Sequence, residues 1–254
     1  MTEVDLQLAM PDGLCDAVLF SPEPATPLPG VLHVPDIASI REAQREMAQR
    51  LAAEGYAVLL VNPFYRTGRP PVWSFPRVWS EPKTIQRFQE LTAPLTPDAQ
   101  MRDAAAYLDL LLTQEAVQRG PVGVVGYCFG GGMALRTAAA GGERVAAAAS
   151  FHGGGLFKAD DPSSPHLLLP QVTAQLYFGH ATEGRSMNAD DIAQFEEALA
   201  AWGGKYASET YPAHHGWTVP DNPAYNSAEA ERSFTRLKEL FAETLKYRTD
   251  RMPG

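Results

Sequence analysis

The sequence predicts an α/β fold in which a mostly parallel, doubly wound sheet follows an N-terminal antiparallel hairpin. Residues 4–10 and 14–20 alternate apolar and polar side chains around the turn Pro11-Asp12-Gly13, as two paired strands do. Further along, short continuous apolar runs alternate with segments of helical periodicity, the pattern of buried parallel strands joined by helices. All 254 residues are therefore expected to form one domain.

The first parallel unit lies between residues 30 and 62. The run 30–34 is apolar throughout, as expected of a strand buried on both faces. A helix is predicted from about Ser39 to Glu54, with Gly55 as its stop signal, and the next strand spans residues 56–62. A strand, helix and strand of these lengths imply a right-handed crossover.

The segment 63–98 interrupts this alternation. Seven prolines make it unsuitable for a sheet strand, and its aromatic side chains make it unlike a solvated linker. We interpret it as a cap over the carboxyl ends of the strands, with a short helix near residues 83–91. A surface excursion that only packs on the body of the protein is the alternative.

The rest of the chain returns to the α/β pattern. Residues 144–151 are assigned to a strand in spite of their alanines, because the run is short, apolar and bounded by glycines. The other predicted elements are a helix from 96 or 97 to 118, a strand from 122, a strand at 173–178, a helix at 189–202, a strand at 205–211 and a helix from 226 to about 247.

Composition and charge narrow the possible partners. A net charge of −9 argues against nucleic acid and anionic membranes, and no apolar run is long enough to span a bilayer. The acidic N-terminal residues do not resemble a signal peptide, so we expect a cytoplasmic protein, either monomer or homodimer. Of the two cysteines, Cys15 is expected to be structural, which leaves Cys128 as a candidate nucleophile.

The stretch Gly126-Tyr127-Cys128-Phe129-Gly130 carries the strongest chemical signal. It lies between a predicted strand and an Ala-rich helix, and Gly-x-Cys-x-Gly in that position is typical of a nucleophile elbow. A thiol at a helix N-terminus is favoured as thiolate by the unpaired N–H groups there. The alternative is an ordinary strand-to-helix connection whose small cysteine is merely buried.

A cysteine nucleophile needs a base, and the base needs an acid that orients it. His215 is the candidate base, because it follows the last predicted strand and precedes Gly216; His214 is the less favoured neighbour. Glu183 is the candidate acid, since it lies in the loop after the preceding strand. Glu183 could instead pair with His180 on the surface.

An oxyanion would be held by two backbone N–H groups, those of Phe129 and Ile37. Asp36 lies one residue before Ile37, at the mouth of the same site. It is either a second carboxylate that holds or releases the thiol proton, or only a cap for the following helix.

Other chemistries are disfavoured by the spacing of their residues. The histidines do not have the spacing of a zinc site, and the glycine-rich stretches match neither a dinucleotide-binding fingerprint nor a phosphate-binding loop. We therefore predict neither a metal nor an organic cofactor.

With these motifs, the chain resembles the dienelactone hydrolase family of α/β-hydrolases over nearly all of residues 4–246. The resemblance rests on Gly126-Tyr127-Cys128-Phe129-Gly130-Gly131, on Arg45 with Leu51-Ala52-Ala53-Glu54-Gly55-Tyr56, and on Ala213-His214-His215-Gly216-Trp217. It implies an α/β-hydrolase fold with Cys128 as nucleophile, His215 as base and Glu183 as acid. Tyr127 and Trp217 belong to the same motifs and are expected to line the site.

Three positions depart from the family pattern. The acid is Glu183 where the family uses Asp, Asp36 replaces a glutamate that pairs with the resting thiol, and Val219 replaces a carboxylate-binding arginine. The resemblance implies hydrolysis of a small ester or lactone, less acidic than a dienelactone, through an acyl-cysteine. The alternative from another class is a catalytically weak or inactive member that binds a small molecule.

Overall fold

The computed structural model describes residues 1–23, 26–184 and 187–246. The strands are β1 (Thr2–Met10), β2 (Gly13–Ser21), β3 (Gly30–Val34), β4 (Ala57–Val61), β5 (Val122–Tyr127), β6 (Val145–Phe151), β7 (Gln175–Glu183) and β8 (Tyr206–His214). The α-helices are α1 (Glu42–Ala53), α2 (Pro82–Thr92), α3 (Pro97–Leu112), α4 (Phe129–Gly141), α5 (Ala189–Trp202) and α6 (Ser227–Phe241).

The eight strands form one mixed sheet in the order β1-β2-β4-β3-β5-β6-β7-β8. The β1–β2 hairpin is antiparallel and joins the sheet antiparallel to β4, whereas β4, β3 and β5 to β8 are parallel neighbours. Every residue of β3, β4, β5 and β6 is buried, as their continuous apolar runs predicted. The predicted hairpin and mostly parallel sheet are both confirmed.

Helices cover both faces of the sheet. On one face the apolar sides of α3, α4 and α5 pack on the strands, with Leu108, Leu135 and Phe195 among the buried side chains. On the other face α1 and α6 form a second core that includes Leu51 and Leu240. The sheet is therefore doubly wound, and the carboxyl ends of its parallel strands meet at one edge.

The segment between β4 and α3 packs over that edge. Phe64, Val72, Trp73 and Leu91 form a small core with Ile37, the residue expected to supply an oxyanion donor. The indole Nε1 of Trp73 donates to the carbonyl oxygen of Ile37 at 2.9 Å. The helix predicted near 83–91 is α2, and these contacts place the segment over the strand ends.

Several predicted boundaries were wrong. The helix expected from Ser39 begins at Glu42, because Ser39 has φ 61° and Arg41 is extended. The helix expected to reach Gln118 ends at Leu112, and the chain then turns back so that Val117 pairs with Leu28.

Toward the C-terminus of the chain, β7 and β8 continue beyond their predicted ends at residues 178 and 211. The two strands stay paired as far as Glu183 and His214. The last helix ends at Phe241 and is followed by a π-helical turn, Ala242–Lys246. Its predicted end at 247 lies outside the described residues. None of the described helices is long and apolar enough to cross a membrane.

Candidate active site

Cys128 occupies a strained turn between β5 and α4. Its backbone has φ 55° and ψ −114°, a conformation that non-glycine residues rarely adopt. A Cβ atom on Gly126 would lie 1.9 Å from the carbonyl oxygen of Gly130, and one on Gly130 would lie 2.2 Å from that of Val34. The turn can therefore be this tight only because residues 126 and 130, two positions before and after Cys128, are both glycine.

The half-buried thiol of Cys128 receives hydrogen bonds from the backbone N–H groups of Phe129 and Ile37. These donors, one from α4 and one from the loop after β3, are the two that the sequence analysis named for the oxyanion. Their bonds and the charge of Arg77 lower the pKa of the thiol. Burial has the largest effect and, together with the charge of Asp36, raises that pKa to about 12.

The N–H of Phe129 at the helix N-terminus lowers the pKa of the thiol, as expected, but burial has the larger effect. Desolvation of the sulfur outweighs the hydrogen bonds that would stabilise its charge. Cys128 is a neutral thiol at physiological pH and needs a base before it can act as a nucleophile.

His215 follows the last residue of β8 and turns back toward the elbow. Gly216, the next residue, has φ 101°, which only glycine adopts without strain. The half-buried imidazole of His215 lies with its centroid 5.1 Å from the ring of His152, whereas His214 is exposed. Burial lowers the pKa of His215, and the negative charge of Asp36 raises it.

His152, which no sequence motif indicated as part of the site, follows β6 and contacts Cys128 directly. Nδ1 of His152 accepts the backbone N–H of Cys128 at 3.1 Å, so Nε2 carries the proton and donates to Oγ1 of Thr218 at 2.7 Å. Burial and the charge of His215 hold the pKa of His152 well below its ordinary value. The neutral ring therefore holds the backbone of Cys128 in place. The sequence signal that could have indicated His152 was its position directly after a predicted strand, at the same edge of the sheet as Cys128.

Asp36 lies at the site, where its charge raises the pKa of the Cys128 thiol while its side chain is paired with Arg41. Its Oδ1 accepts the backbone N–H of Ala38, and the guanidinium of Arg41 binds both of its oxygens at 2.8 and 2.9 Å. It does not cap α1, because the N-cap of that helix is Arg41. Arg41 also donates to Asp221, and no sequence motif pointed to either residue.

The remaining predicted site residues lie at different depths. Glu183 ends β7 opposite His214, and its side chain lies outside the described part of the structure. Tyr127 and Trp217 lie beneath the site, 6% and 0% exposed. Tyr127 stacks on Phe151, and Trp217 packs edge-on against His152 at 4.9 Å.

Three turns at this edge of the sheet share an unusual backbone. Among the described residues, Ser39, Cys128 and His152 are the non-glycine residues with positive φ, at 61°, 55° and 41°. They follow β3, β5 and β6 respectively. Such strain concentrates at functional sites, where the surrounding structure holds residues in geometry that they would not adopt alone.

The family model for the dienelactone hydrolase family matches residues 15–245. This chain belongs to that family. Membership places it among the hydrolases that act on ester or lactone bonds. The family assignment agrees with the cysteine elbow and with the histidine that follows β8.

Similar proteins agree with the family assignment. A Synechocystis sp. protein provisionally named carboxymethylenebutenolidase is 26% identical over 86% of this chain and 87% of its own length. The carboxymethylenebutenolidase of Rhodococcus opacus is 27% identical over 85% and 81%.

A provisionally named dienelactone hydrolase of Klebsiella pneumoniae subsp. pneumoniae MGH 78578 has been solved by crystallography. Its structure has a TM-score of 0.82 to this one at 21% identity, covering 96% of this chain and 100% of its own. This likeness concerns the fold, and it confirms the α/β-hydrolase architecture.

Proposed function

We propose that the protein hydrolyses a small carboxylic ester or lactone with Cys128 as nucleophile. The observation that carries the proposal is the convergence of two backbone donors, Phe129 and Ile37, on the sulfur of a strained elbow cysteine. A carbonyl that is attacked by this sulfur would have its oxygen within reach of the same two N–H groups. His215, after the end of β8, is the proposed base, because its ring contacts His152, which bonds to the backbone of Cys128.

Acylation begins when neutral His215 takes the proton of the Cys128 thiol as sulfur attacks the carbonyl carbon. The carbonyl oxygen becomes an oxyanion held by the two N–H groups. When the tetrahedral intermediate collapses, the C–O bond breaks, and the leaving oxygen takes the proton from the imidazolium of His215. With an ester substrate the alcohol departs. With a lactone the ring opens, and the new hydroxyl group stays on the acyl chain that is bound to Cys128.

Deacylation repeats these steps with water. His215 removes a proton from the attacking water, the oxyanion forms again between Phe129 and Ile37, and the C–S bond breaks. The proton on His215 returns to the sulfur. The products are a carboxylic acid and the neutral thiol of the resting site.

Glu183 remains our proposed acid for His215. It lies beside the base on the neighbouring strand, because its backbone pairs with that of His214. If it orients and stabilises the imidazolium, Glu183→Gln will lower kcat by about 10²-fold or more while leaving the chain folded.

Charge in the cap bears on the class of substrate. Val219, at the position of the family's arginine, is fully buried and offers no charge. Arg66, Arg69 and Arg87 are each engaged by a carboxylate of the protein, whereas the charge of Arg77 acts on Cys128. We propose an ester or lactone whose apolar part contacts Trp73 and Phe75. The substrate would carry at most one negatively charged group, which would pair with Arg77. The names of the relatives suggest a butenolide with a carboxyl group.

A binding protein without turnover is the second candidate. The burial of the sulfur favours it, because burial raises the pKa of the thiol to about 12 and leaves very little thiolate at neutral pH. Under this alternative the pocket would hold an ester or lactone without forming an acyl-cysteine.

A burst experiment separates the two candidates. The wild type and Cys128→Ala would be mixed with p-nitrophenyl acetate and with a panel of lactones, and intact mass would report any acyl adduct. We expect an adduct on Cys128 and the loss of turnover in Cys128→Ala. Cys15→Ala is the matched control. Cys15 is fully buried and out of reach of the substrate, so this variant should retain full activity. Equal rates in wild type and Cys128→Ala, with no adduct, would support the binding protein.

A further inference from the structure

Arg41 joins the two loops that carry the proposed oxyanion donor and the proposed base. Nη1 and Nη2 bind both oxygens of Asp36, one residue before Ile37, at 2.8 and 2.9 Å. Nε and Nη2 bind both oxygens of Asp221, six residues after His215, at 2.6 and 2.7 Å. We call this arrangement of Arg41 with Asp36 and Asp221 the Arg41 clamp; its contact between Arg41 and Asp221 joins positions 180 residues apart.

The pair formed by Asp36 and Arg41 is the part of the Arg41 clamp that is shielded from water. The side chains of Asp36 and Arg41 are 7% and 17% exposed, whereas that of Asp221 is 44% exposed. A carboxylate this deeply buried is strongly destabilising unless its charge is paired, and bidentate arginine is the most effective partner. Asp36 also accepts the N–H of Ala38, so its position is fixed from two sides.

We propose that Arg41 is a positioning residue that holds Asp36 beside the thiol and offsets the charge of that carboxylate. Arg41 does not contact the reacting atoms. Its positive charge opposes the negative charge of Asp36 at Cys128 and His215, and its bonds to Asp221 tie down the loop that carries His215. The consequence for turnover depends on the proposed function, whereas the effect on the thiol does not.

Several charged or titratable groups face this part of the site. Asp36 and Arg77 act on the Cys128 thiol from the loop after β3 and from the cap. His152 bonds to the backbone of Cys128 from the end of β6, and His215 contacts His152 from the end of β8. His33, buried in β3, is also influenced by Asp36. Because Asp36 raises the pKa of the thiol, the cation paired with it is expected to limit that rise.

The test is the rate of alkylation of Cys128 by iodoacetamide between pH 6 and 10, with the adduct located by peptide mass. This readout needs no turnover. Arg41→Met is expected to slow alkylation at pH 8 by about three- to tenfold, since one nearby charge moves a pKa by roughly a unit. Asp36→Asn is expected to accelerate it by a similar factor. The double variant Asp36→Asn/Arg41→Met should return close to the wild type.

Arg45→Met is the matched control. Arg45 lies on α1 near Arg41 and also bridges two carboxylates, Glu3 and Asp5, but these belong to β1. Its loss should leave the alkylation profile unchanged. If Arg41→Met fails to fold, the comparison of Asp36→Asn with the double variant isolates the effect of Arg41 in a background without the buried carboxylate.

The proposal is overturned if Arg41→Met leaves the profile unchanged, or if Arg41→Met and Arg45→Met shift it equally. Its failure is distinct from that of the proposed function. Hydrolysis that persists in Cys128→Ala would remove the proposed nucleophile, yet the alkylation profiles would still show whether Arg41 controls the thiol.

Discussion

Opposing effects on one sulfur atom govern the chemistry of Cys128. The two backbone donors and Arg77 favour the thiolate, while burial and Asp36 favour the thiol and prevail. If Cys128 is the nucleophile we propose, it stays protonated until a base removes the proton, and the neutral thiol is protected from oxidation and alkylation at rest. In the proposed mechanism, His215 must therefore be neutral before acylation can begin.

The state of His215 leads to a prediction about pH. Burial lowers the pKa of His215, so the neutral base persists below the ordinary histidine value of about 6.5. We expect kcat/KM for an ester to stay constant as pH falls from 8 to about 6.5, and to decline only below that. Initial rates across pH 4.5–8 would measure this decline, the acid limb of the pH profile.

Asp36→Asn provides the control for that assignment. The charge of Asp36 raises the pKa of His215, so its removal should move the acid limb to lower pH. A limb at pH 7 or above, or one that Asp36→Asn does not move, would assign the titration to a different group.

Individual residues were predictable where the signal was local. The motif around Cys128 and the glycine after His215 pointed to both positions, because a tight turn requires small residues at a few adjacent positions and these can be read from the sequence. Arg41 and Asp221 were not found, since their contact joins positions 180 residues apart. His152 was missed for a similar reason: only the packing of β6 beside β5 brings it to the elbow.

At the scale of secondary structure, the buried strands were the most predictable elements. The predicted strand 30–34 matches β3, and the Ala-rich run 144–151 is β6, because a short apolar segment bounded by glycines suits a strand buried on both faces. Helix boundaries were less predictable. The start of α1 depends on the positive φ of Ser39, and the end of α3 on the pairing of Val117 with Leu28, and neither is encoded in periodicity.

The N-terminal turn of α4 gives a prediction from two adjacent glycines. A Cβ on Gly131 would lie 2.3 Å from Oγ of Ser150 and 2.6 Å from Cα of Gly153, whereas one on Gly132 would meet only Gly154 O at 3.6 Å. Gly131→Ala is therefore expected to lower the free energy of unfolding by about 1–3 kcal/mol or more. Gly132→Ala should leave it unchanged or raise it by about 0.5 kcal/mol.

Urea unfolding of the two variants at one pH would measure the difference. A similar loss of stability in both would mean that the contact between α4 and β6 is not as close as the structure describes. A loss confined to Gly132→Ala would contradict the packing altogether.

At the scale of the whole molecule, buried histidines link stability to pH. Burial lowers the pKa of both His33 and His180 to about 4. Between that value and the ordinary value of about 6.5, the unfolded chain binds protons that the folded chain does not. The free energy of unfolding should therefore fall as pH decreases from about 6.5 to about 4.

Urea unfolding at pH 7.5, 6 and 5 would test this expectation, with His180→Gln as the comparison. Glutamine can keep the contact of His180 with Oγ of Ser208 but does not titrate. The variant should lose less stability than the wild type over the same interval. Equal slopes in the two proteins would show that His180 does not contribute.

The strained turns at Ser39, Cys128 and His152 also bear on how this protein would respond to laboratory selection. Each disfavoured backbone conformation costs about 1–3 kcal/mol. At position 128, glycine would relieve that strain and remove the sulfur at once. A library selected for heat resistance alone is therefore expected to enrich inactive proteins, so a screen for robust variants needs an activity assay at every round.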